Sequence, residues 1–345
     1  MKEAGRPLAR LKDVAVLAGV SVKTVSNVVN DYPHIRPATR QKVEEAIARL
    51  GYRPNLVART LARGQSGVVA LAVPELDAPY FAELAHHMVR EAVARGWTVL
   101  VDETGQIHES SLLERERSAA SGIRDHLIDG VILNPLALDD VDIARYGSVP
   151  LVLLGERLGS EHTDHVAIDN RAAAAEATRH LVERGRVRIA AIGPQPLPYG
   201  HSARLRLQGY QQALEEAGRP YERALVVDSL DWRRSSGADC ARQLLELRNL
   251  PDAIFGFNDS LALGAMHALR EQGLRVPEDI AVVGFDDIEE SRYSCPSLTT
   301  ISPDKAAIAR EAVRRLAARL QGSGEWEREE ITIGHTLEVR ASSGG

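Results

Sequence analysis

Near the N-terminus, apolar residues recur every three or four positions. In LKDVAVLAG, Val14, Leu17 and Ala18 fall on one side of a predicted helix, and Gly19 ends it where a positive φ is easiest for glycine. A tight turn follows. Ser21 is placed to cap a second helix starting at Val22, and Val20 and Val25 are spaced as a hydrophobic staple across its first turn. A third helix is framed by Pro37 in its first turn and Gly51 past its end, with Val43, Ile47 and Leu50 on one side. Two short helices joined by a glycine turn and braced by a third make a helix-turn-helix.

From Gly67 the period changes. Short β-branched runs alternate with helical stretches: GVVALAVPEL, WTVLVDET, DGVILNP and VPLVLLGE, then HVAID, RVRIAAIGP, ALVVDS, DAIFGFND and IAVVGFDD. Such runs fit parallel strands buried on both faces, so this part is expected to form two doubly wound α/β lobes. HVAID opens the second set. After PSLTTISPD, a helix from about Lys305 and the final strands in EEITIGHTLEVR are expected to return to the first lobe. The predicted division is a head over 1–54, a linking segment over 55–66, and a core over 67–345. In that core lobe 1 spans about 67–165 plus 303–325 and lobe 2 about 166–300.

Composition sharpens this division. The 345 residues are 44% hydrophobic and 26% charged, as in an ordinary globular protein. No apolar run approaches the roughly 18 residues of a membrane span, so no membrane partner is expected. MKEAGRPLARLKD is charged and has no apolar core of a secretory signal, and two cysteines, Cys240 and Cys295, make no disulfide framework. A reducing cytoplasm is the expected compartment. The net charge of −6 hides an asymmetry, because residues 1–65 hold twelve Lys/Arg against five Asp/Glu. Only that segment has the charge that would attract a polyanion.

A helix-turn-helix inserts its second helix N-terminus first into the major groove. Lys23 and Asn27 are four apart and share a face. Lysine can donate to guanine O6/N7, asparagine can bind adenine N6/N7, and Val22 can touch a thymine methyl. Ser21, Thr24, Ser26 and Asn30 are better placed for phosphates. The competing reading is a small helical bundle with no nucleic-acid role. Cap, staple, turn glycine and positive charge together favour double-stranded DNA.

LKDVAVLAGVSVKTVSNVVN followed by RPATRQKVEEAIARLGYRPNLVARTLARGQS resembles the N-terminus of the LacI/GalR family of bacterial transcription regulators, without a gap from residue 11 to about 66. Asn27 departs from many members, which carry arginine there. The resemblance implies an N-terminal all-α, lambda-repressor-like helix-turn-helix head plus a two-lobed, periplasmic-binding-protein-like α/β core with doubly wound parallel sheets. It also implies a homodimer on a palindromic operator, controlled by a small-molecule effector. PNLVARTLARG, too short to be helical alone, matches the family's hinge helix. Leu61 matches the leucine wedged into the minor groove, and Arg59 and Ala62 are further candidates for that groove. The alternative for Leu61 is packing on the following domain. The chain ends at SSGG with no leucine heptads, which makes a dimer the expectation.

Ligands in doubly wound sheets sit at the carboxyl ends of strands. There the sequence offers Asp77, Tyr80 and Phe81 after the first strand, Glu156 in LLGERL, Arg206 in SARLRLQGY, Trp232 in DSLDWRR, Asn258 in GFNDS and Asp286 in GFDD. Arginine's planar fork suits paired hydroxyls or a carboxylate, and the Trp232 face suits the apolar face of a sugar ring. Apart from the weaker candidate Glu156, these match the family's effector pocket position by position. Duller readings stand beside them: packing for Trp232, a surface salt bridge for Arg206, a helix cap for Asp286, a turn for Asn258, and one ring of Tyr80 and Phe81 in the core. Where many sugar-responsive members carry glutamine after TTI, this chain has Ser302-Pro303-Asp304, so that contact is expected to be lost or replaced.

The chain has no GxGxxG, GxxxxGK or GxSxG and no HExxH or CxxC; adjacent His86 and His87 are expected as surface and packing residues. Neither a cofactor, a metal nor an enzyme is expected. The reading is a DNA-binding regulator, released from or recruited to its operator by a sugar, with a purine or phosphorylated metabolite as the alternative. A sugar-binding protein or α/β enzyme without a DNA role is a distant third.

Overall fold

The computed structural model describes residues 9–29, 32–52, 66–105, 111–120, 128–138, 140–146, 149–155, 163–195, 200–322 and 327–344. They form two compact units, Met1–Gly67 and Val68–Gly345.

In the first unit, α1 spans Leu11–Ala18, α2 Val22–Val29 and α3 Pro37–Leu50. The turn between α1 and α2 is made by Gly19 at φ 65°, and the amide of Val20 closes it onto the Ala15 carbonyl at 3.0 Å. Ser21 Oγ accepts from the amide of Thr24 at 3.0 Å, which satisfies one of the orphan donors at the start of α2. Pro37 occupies the first helical position of α3, and Gly51 at φ 60° ends it. The core is Val14, Ala15, Val25, Val28, Val43, Ala46 and Tyr52. Of the other residues expected on the packed sides, Ala18 and Ile47 are half-buried against this core, and Leu17 and Leu50 are not in it. Leu17 is 40% and Leu50 37% exposed, because Ala15 and Ala46 face the neighbouring helices in their place.

The second unit runs β1 Val68–Val73, α4 Pro79–Val93, β2 Thr98–Glu103, α5 Leu112–Ala120, β3 Gly130–Leu133, α6 Asp140–Tyr146, β4 Leu151–Leu154, β5 Asp164–Ile168 and α7 Asn170–Glu183. It continues with β6 Ile189–Ile192, α8 His201–Glu216, β7 Val226–Val227, α9 Arg234–Leu245, β8 Ala253–Gly256, α10 Asp259–Glu271, β9 Ala281–Phe285, α11 Glu289–Tyr293, β10 Thr299–Pro303, α12 Lys305–Gln321, β11 Glu330–Ile333 and β12 His335–Glu338. Among the described residues the strands form two six-stranded sheets, β11-β5-β4-β3-β1-β2 and β12-β10-β9-β8-β6-β7. The first is parallel throughout, and the second is parallel except where β12 runs against β10. Their central strands are apolar and buried, whereas β2 is a largely exposed edge.

Two strand assignments differ from the sequence expectation. HVAID belongs to the first sheet: β5 lies beside β4, with Val152 opposite Asp164, so the chain passes to a parallel neighbour before it crosses to the second lobe. The final strands separate at Gly334, β11 joining β5 in the first sheet and β12 joining β10 in the second. A pattern of alternating strands shows that both are strands, but not which sheet edge each one covers.

Close packing places the second lobe's strand-end loops. A Cβ on Gly264 would stand 1.9 Å from the Arg234 carbonyl oxygen and one on Gly237 2.1 Å from that of Leu261, so glycine lets α9 and α10 approach backbone to backbone. The N-termini of these two helices carry Trp232–Arg234 and Asn258 to the same cleft.

Candidate nucleic-acid interface and ligand cleft

On α2, Val25 and Val28 face the core, and the exposed start of the helix carries Val22, 43% exposed, and Lys23. Thr24, Ser26 and Asn27 are half-buried. The Ser21 and Thr24 hydroxyls lie 2.9 Å apart, and either can be the donor, which leaves the other proton of the pair for an outside acceptor. The Asn27 carbonyl accepts from the amide of Tyr32 at 2.9 Å, a backbone contact that leaves the side-chain amide uncommitted by this bond. Asn30, Arg59, Leu61 and Ala62 lie outside the described residues.

In the second unit a cavity of about 420 Å³ lies at the carboxyl ends of both sheets and is lined by Asp77, Tyr80, Phe81, Arg206, Trp232, Asn258 and Asp286. Glu156 lies outside the described residues. Tyr80 and Phe81 both line the cavity, edge to face at 5.3 Å, rather than dividing between cleft and core.

The partners of each side chain define the chemistry. Arg206 is only 6% exposed: Nε donates to Asn170 Oδ1 at 2.6 Å, Nη1 to the Phe257 carbonyl, and Nη2 lies 3.8 Å from Asp286 Oδ1. Its guanidinium lies 3.5 Å from the Phe285 ring centroid and 5.0 Å from that of Trp232. A surface salt bridge is therefore the wrong description of this residue. Trp232 Nε1 donates to the Gly193 carbonyl at 2.8 Å, which fixes the ring at the cavity wall. Asn258 is the N-cap of α10: Oδ1 accepts from the Leu261 amide at 2.8 Å and Nδ2 donates to the Trp232 carbonyl at 3.1 Å. Its remaining capacity is one N–H and one lone pair of Oδ1. Asp77 reaches Arg233 Nη1 at 3.0 Å, and Glu75 accepts from Arg233 Nη2 at 2.9 Å, an ion-pair bridge between the lobes at the rim.

Asp286 is buried and adopts φ 114°. Burial pushes its carboxyl up to about 6, against the pull of Arg206 and Lys305. Behind it Asp259 is fully buried and accepts from the Ile288 amide and from the Ser291 and Thr300 hydroxyls at 3.0, 2.6 and 2.5 Å. Burial and the neighbouring Asp286 push that carboxyl up to about 7. Asp286 caps no helix. In the stretch after TTI, Ser302 donates to Asp287 at 3.0 Å, Asp304 caps α12, and Pro303 gives the cavity an apolar wall in place of an amide.

Sequence reasoning missed Asn134, Asn170, His201 and Arg233, all in the lining. Asn134 ends the DGVILNP strand, where the strand-end rule alone points. It fits because Gly155, at φ 77°, has no Cβ, which would stand 2.9 Å from Asn134 Nδ2. The buried Glu116 carboxylate collects the amides of Leu136, Ala137 and Leu138 at 2.6, 2.9 and 2.8 Å and so fixes the loop after Asn134. Asn170 was hidden by the placement of HVAID in the wrong lobe.

The helix-turn-helix unit matches the family described as bacterial regulatory proteins, lacI family, over residues 10–55, and residues 178–343 of the second unit match a periplasmic binding protein-like domain. The HTH-type transcriptional repressor CytR of Escherichia coli (strain K12) is 34% identical over 317 residues, 91% of this chain and 90% of the relative. This chain belongs to the lacI family of bacterial regulatory proteins. Two solved lacI-family structures extend the likeness over 97% of the chain and 99% of theirs: the lac repressor dimer bound to operator and the anti-inducer ONPF, at 32% identity and TM-score 0.85, and the regulator CelR in complex with cellobiose, at 34% and 0.71. The family places the protein among DNA-binding transcription regulators, and no described helix is long and apolar enough to cross a membrane.

Proposed function

We propose that this lacI-family member is a homodimeric repressor whose operator affinity is set by a neutral sugar of more than one ring, bound in the cleft of the second unit. The carrying observation is charge pairing. Each described arginine of the lining already faces a carboxylate: Arg206 faces Asp286, Arg233 faces Glu75 and Asp77, and Arg234 faces Glu290. A phosphorylated metabolite would have to displace one of these, whereas a polyhydroxyl ligand can use both members of a pair, hydroxyl to carboxylate and guanidinium to oxygen. Trp232, Tyr80 and Phe81 supply flat faces, and Asn134 and Asn170 supply amides. The cavity, at about 420 Å³, holds on the order of fourteen waters at ~30 Å³ each, room for more than one hexose ring. The cellobiose held by CelR supports the same class.

On the head, Val22, Lys23 and Asn27 read base edges and Ser21, Thr24, Ser26 and Asn30 hold phosphates, with Arg59, Leu61 and Ala62 in the minor groove. The ligand biases closure of the lobes and so the hinge segment, with a coupling of roughly 1–3 kcal/mol.

The test is thermal unfolding of the full chain with cellobiose, lactose, maltose, glucose, glucose 6-phosphate and hypoxanthine, followed by operator gel shifts with whichever compound stabilises it. A neutral disaccharide is expected to raise the transition and change operator affinity. Stabilisation by the phosphate ester or the purine alone overturns the sugar reading.

A further inference from the structure

Lys305 opens α12 in the first lobe and is not part of the cavity lining, yet its side chain is only 10% exposed. Its ammonium lies 2.7 Å from Glu83 Oε2 on α4. It donates to the carbonyl oxygens of Asp286 and Asp287 at 2.7 and 2.9 Å. The other oxygen of Glu83 accepts from the amide of Glu289 at 2.9 Å. Two side chains of the first lobe thus grip the second lobe's 286–289 turn at three backbone points. That turn holds two non-glycine residues at positive φ, Asp286 at 114° and Asp287 at 47°. Conformations of this kind persist only where the surroundings over-determine them. The Asp287 carboxylate is tied back to Arg340 at 2.5 Å and Ser302 at 3.0 Å, so Asp286 alone of the pair faces the cavity, beside Arg206.

We propose that Lys305 and Glu83 are the positioning pair of the ligand cleft: from the first lobe they hold the 286–289 turn in its left-handed form and thereby fix where the Asp286 carboxylate meets a ligand hydroxyl. The inference rests on the sugar reading of the cleft. It assigns a role in recognition to two residues that touch no ligand, and it makes lobe closure and presentation of the carboxylate a single event, because the grip exists only when the lobes meet.

The charged groups facing Asp286 are Arg206 on α8, Lys305 on α12, Glu83 on α4 and Asp259 on α10. Burial raises the Asp286 carboxyl most, Arg206 and Lys305 lower it, and Glu83 raises it. Removing the two members of the pair therefore moves the carboxyl in opposite directions, which a merely structural role would not do.

The experiment uses the full chain with ¹³C-labelled aspartate, the Asp286 signal being assigned by its loss in Asp286→Asn. Without ligand, its titration midpoint is expected to rise in Lys305→Met, fall in Glu83→Gln and return toward wild type in Lys305→Arg. In calorimetry, Lys305→Met is expected to bind cellobiose on the order of tenfold more weakly than wild type at pH 8, with a larger deficit at pH 6. Midpoints that stay put, or that move the same way in both variants, overturn the proposal, and so does unaltered cellobiose affinity in Lys305→Met. A wild-type chain that ignores cellobiose and the other disaccharides, with midpoints still moving oppositely, overturns the sugar reading and leaves the grip on Asp286 standing.

Discussion

The proposed reading helix and the proposed ligand cleft take opposite routes to recognition. On α2 the proposed base-reading side chains lie within two turns of one helix, capped by Ser21 and anchored by Val25 and Val28. Their geometry is settled within about ten residues of chain, and Val22 and Lys23 stand in solvent. In the cleft, Asp77, Trp232, Asn258 and Asp286 come from separate strand ends and Arg206 from α8, and each is already bonded to protein. Exposed side chains on a rigid helix, as Val22 and Lys23 are, can be exchanged singly. Buried, mutually bonded ones cannot, because removing one leaves its partner desolvated and unpaired.

The contrast breaks most visibly at Arg206. Arg206→Ala leaves the buried Asp286 without its cation, and Asn170 and the Phe257 carbonyl without their donor. The expected cost is about 3–5 kcal/mol in the second unit, with ligand response abolished and operator binding by the head retained. Calorimetry and gel shifts measure the two; a variant that still responds to ligand sinks the cleft assignment. Arg206→Lys is not expected to rescue, since an ammonium cannot span both acceptors.

At the head, Asn27→Ala and Lys23→Ala are each expected to cost about 1–3 kcal/mol at one or two operator positions, with the fold untouched. Selection from a randomised operator library reads this directly. Uniform weakening across all sequences would make both residues phosphate contacts.

The cleft is expected to titrate near neutrality, in two opposed senses. Asp286 and Asp259 have native carboxyls raised to about 6 and 7, above their unfolded values. Between about pH 4 and 7 the native state then binds more protons than the unfolded chain, so their contribution to stability falls as pH rises through that window. Ligand binding through the Asp286 carboxylate goes the other way, weakening below about pH 6 by up to about tenfold per unit. Denaturant unfolding and calorimetry between pH 5 and 8 should show both slopes, and Asp286→Asn should flatten the binding one. A binding constant flat across this range would remove Asp286 from ligand contact.

This difference also explains what could be read from the sequence. The helix-turn-helix was legible because turn glycine, cap and apolar spacing are local signals with local causes. Asp77, Trp232, Asn258 and Asp286 were legible one by one, since each follows a recognisable β-branched run. Their partners were not: Asn170 came to Arg206 only through the sheet that β5 joins, and Lys305 and Glu83 only through the meeting of the lobes. Sheet membership is decided by which edge is free, a property of the whole lobe that no short window carries. Small side chains misled in another way. Ala15 and Ala46 are buried in the head, whereas the more apolar Leu17 and Leu50 are partly exposed.

That last substitution of roles gives the smallest effect and a clean one. Leu17 lies on α1 beside Ala18 and is 40% exposed. Leu17→Ala should remove little buried area and leave no cavity, and alanine is the better helix former, so stability of the head should stay within about 0.5 kcal/mol of wild type. Val14, fully buried on the same helix, is the control: Val14→Ala opens a void against α2 and α3 and should cost about 2 kcal/mol. Hydrogen exchange of the α2 amides in the full chain compares the pair without requiring the two units to unfold together. Equal deprotection by both substitutions would mean that Leu17 packs after all, and that the apolar spacing was the better guide to this face of the head.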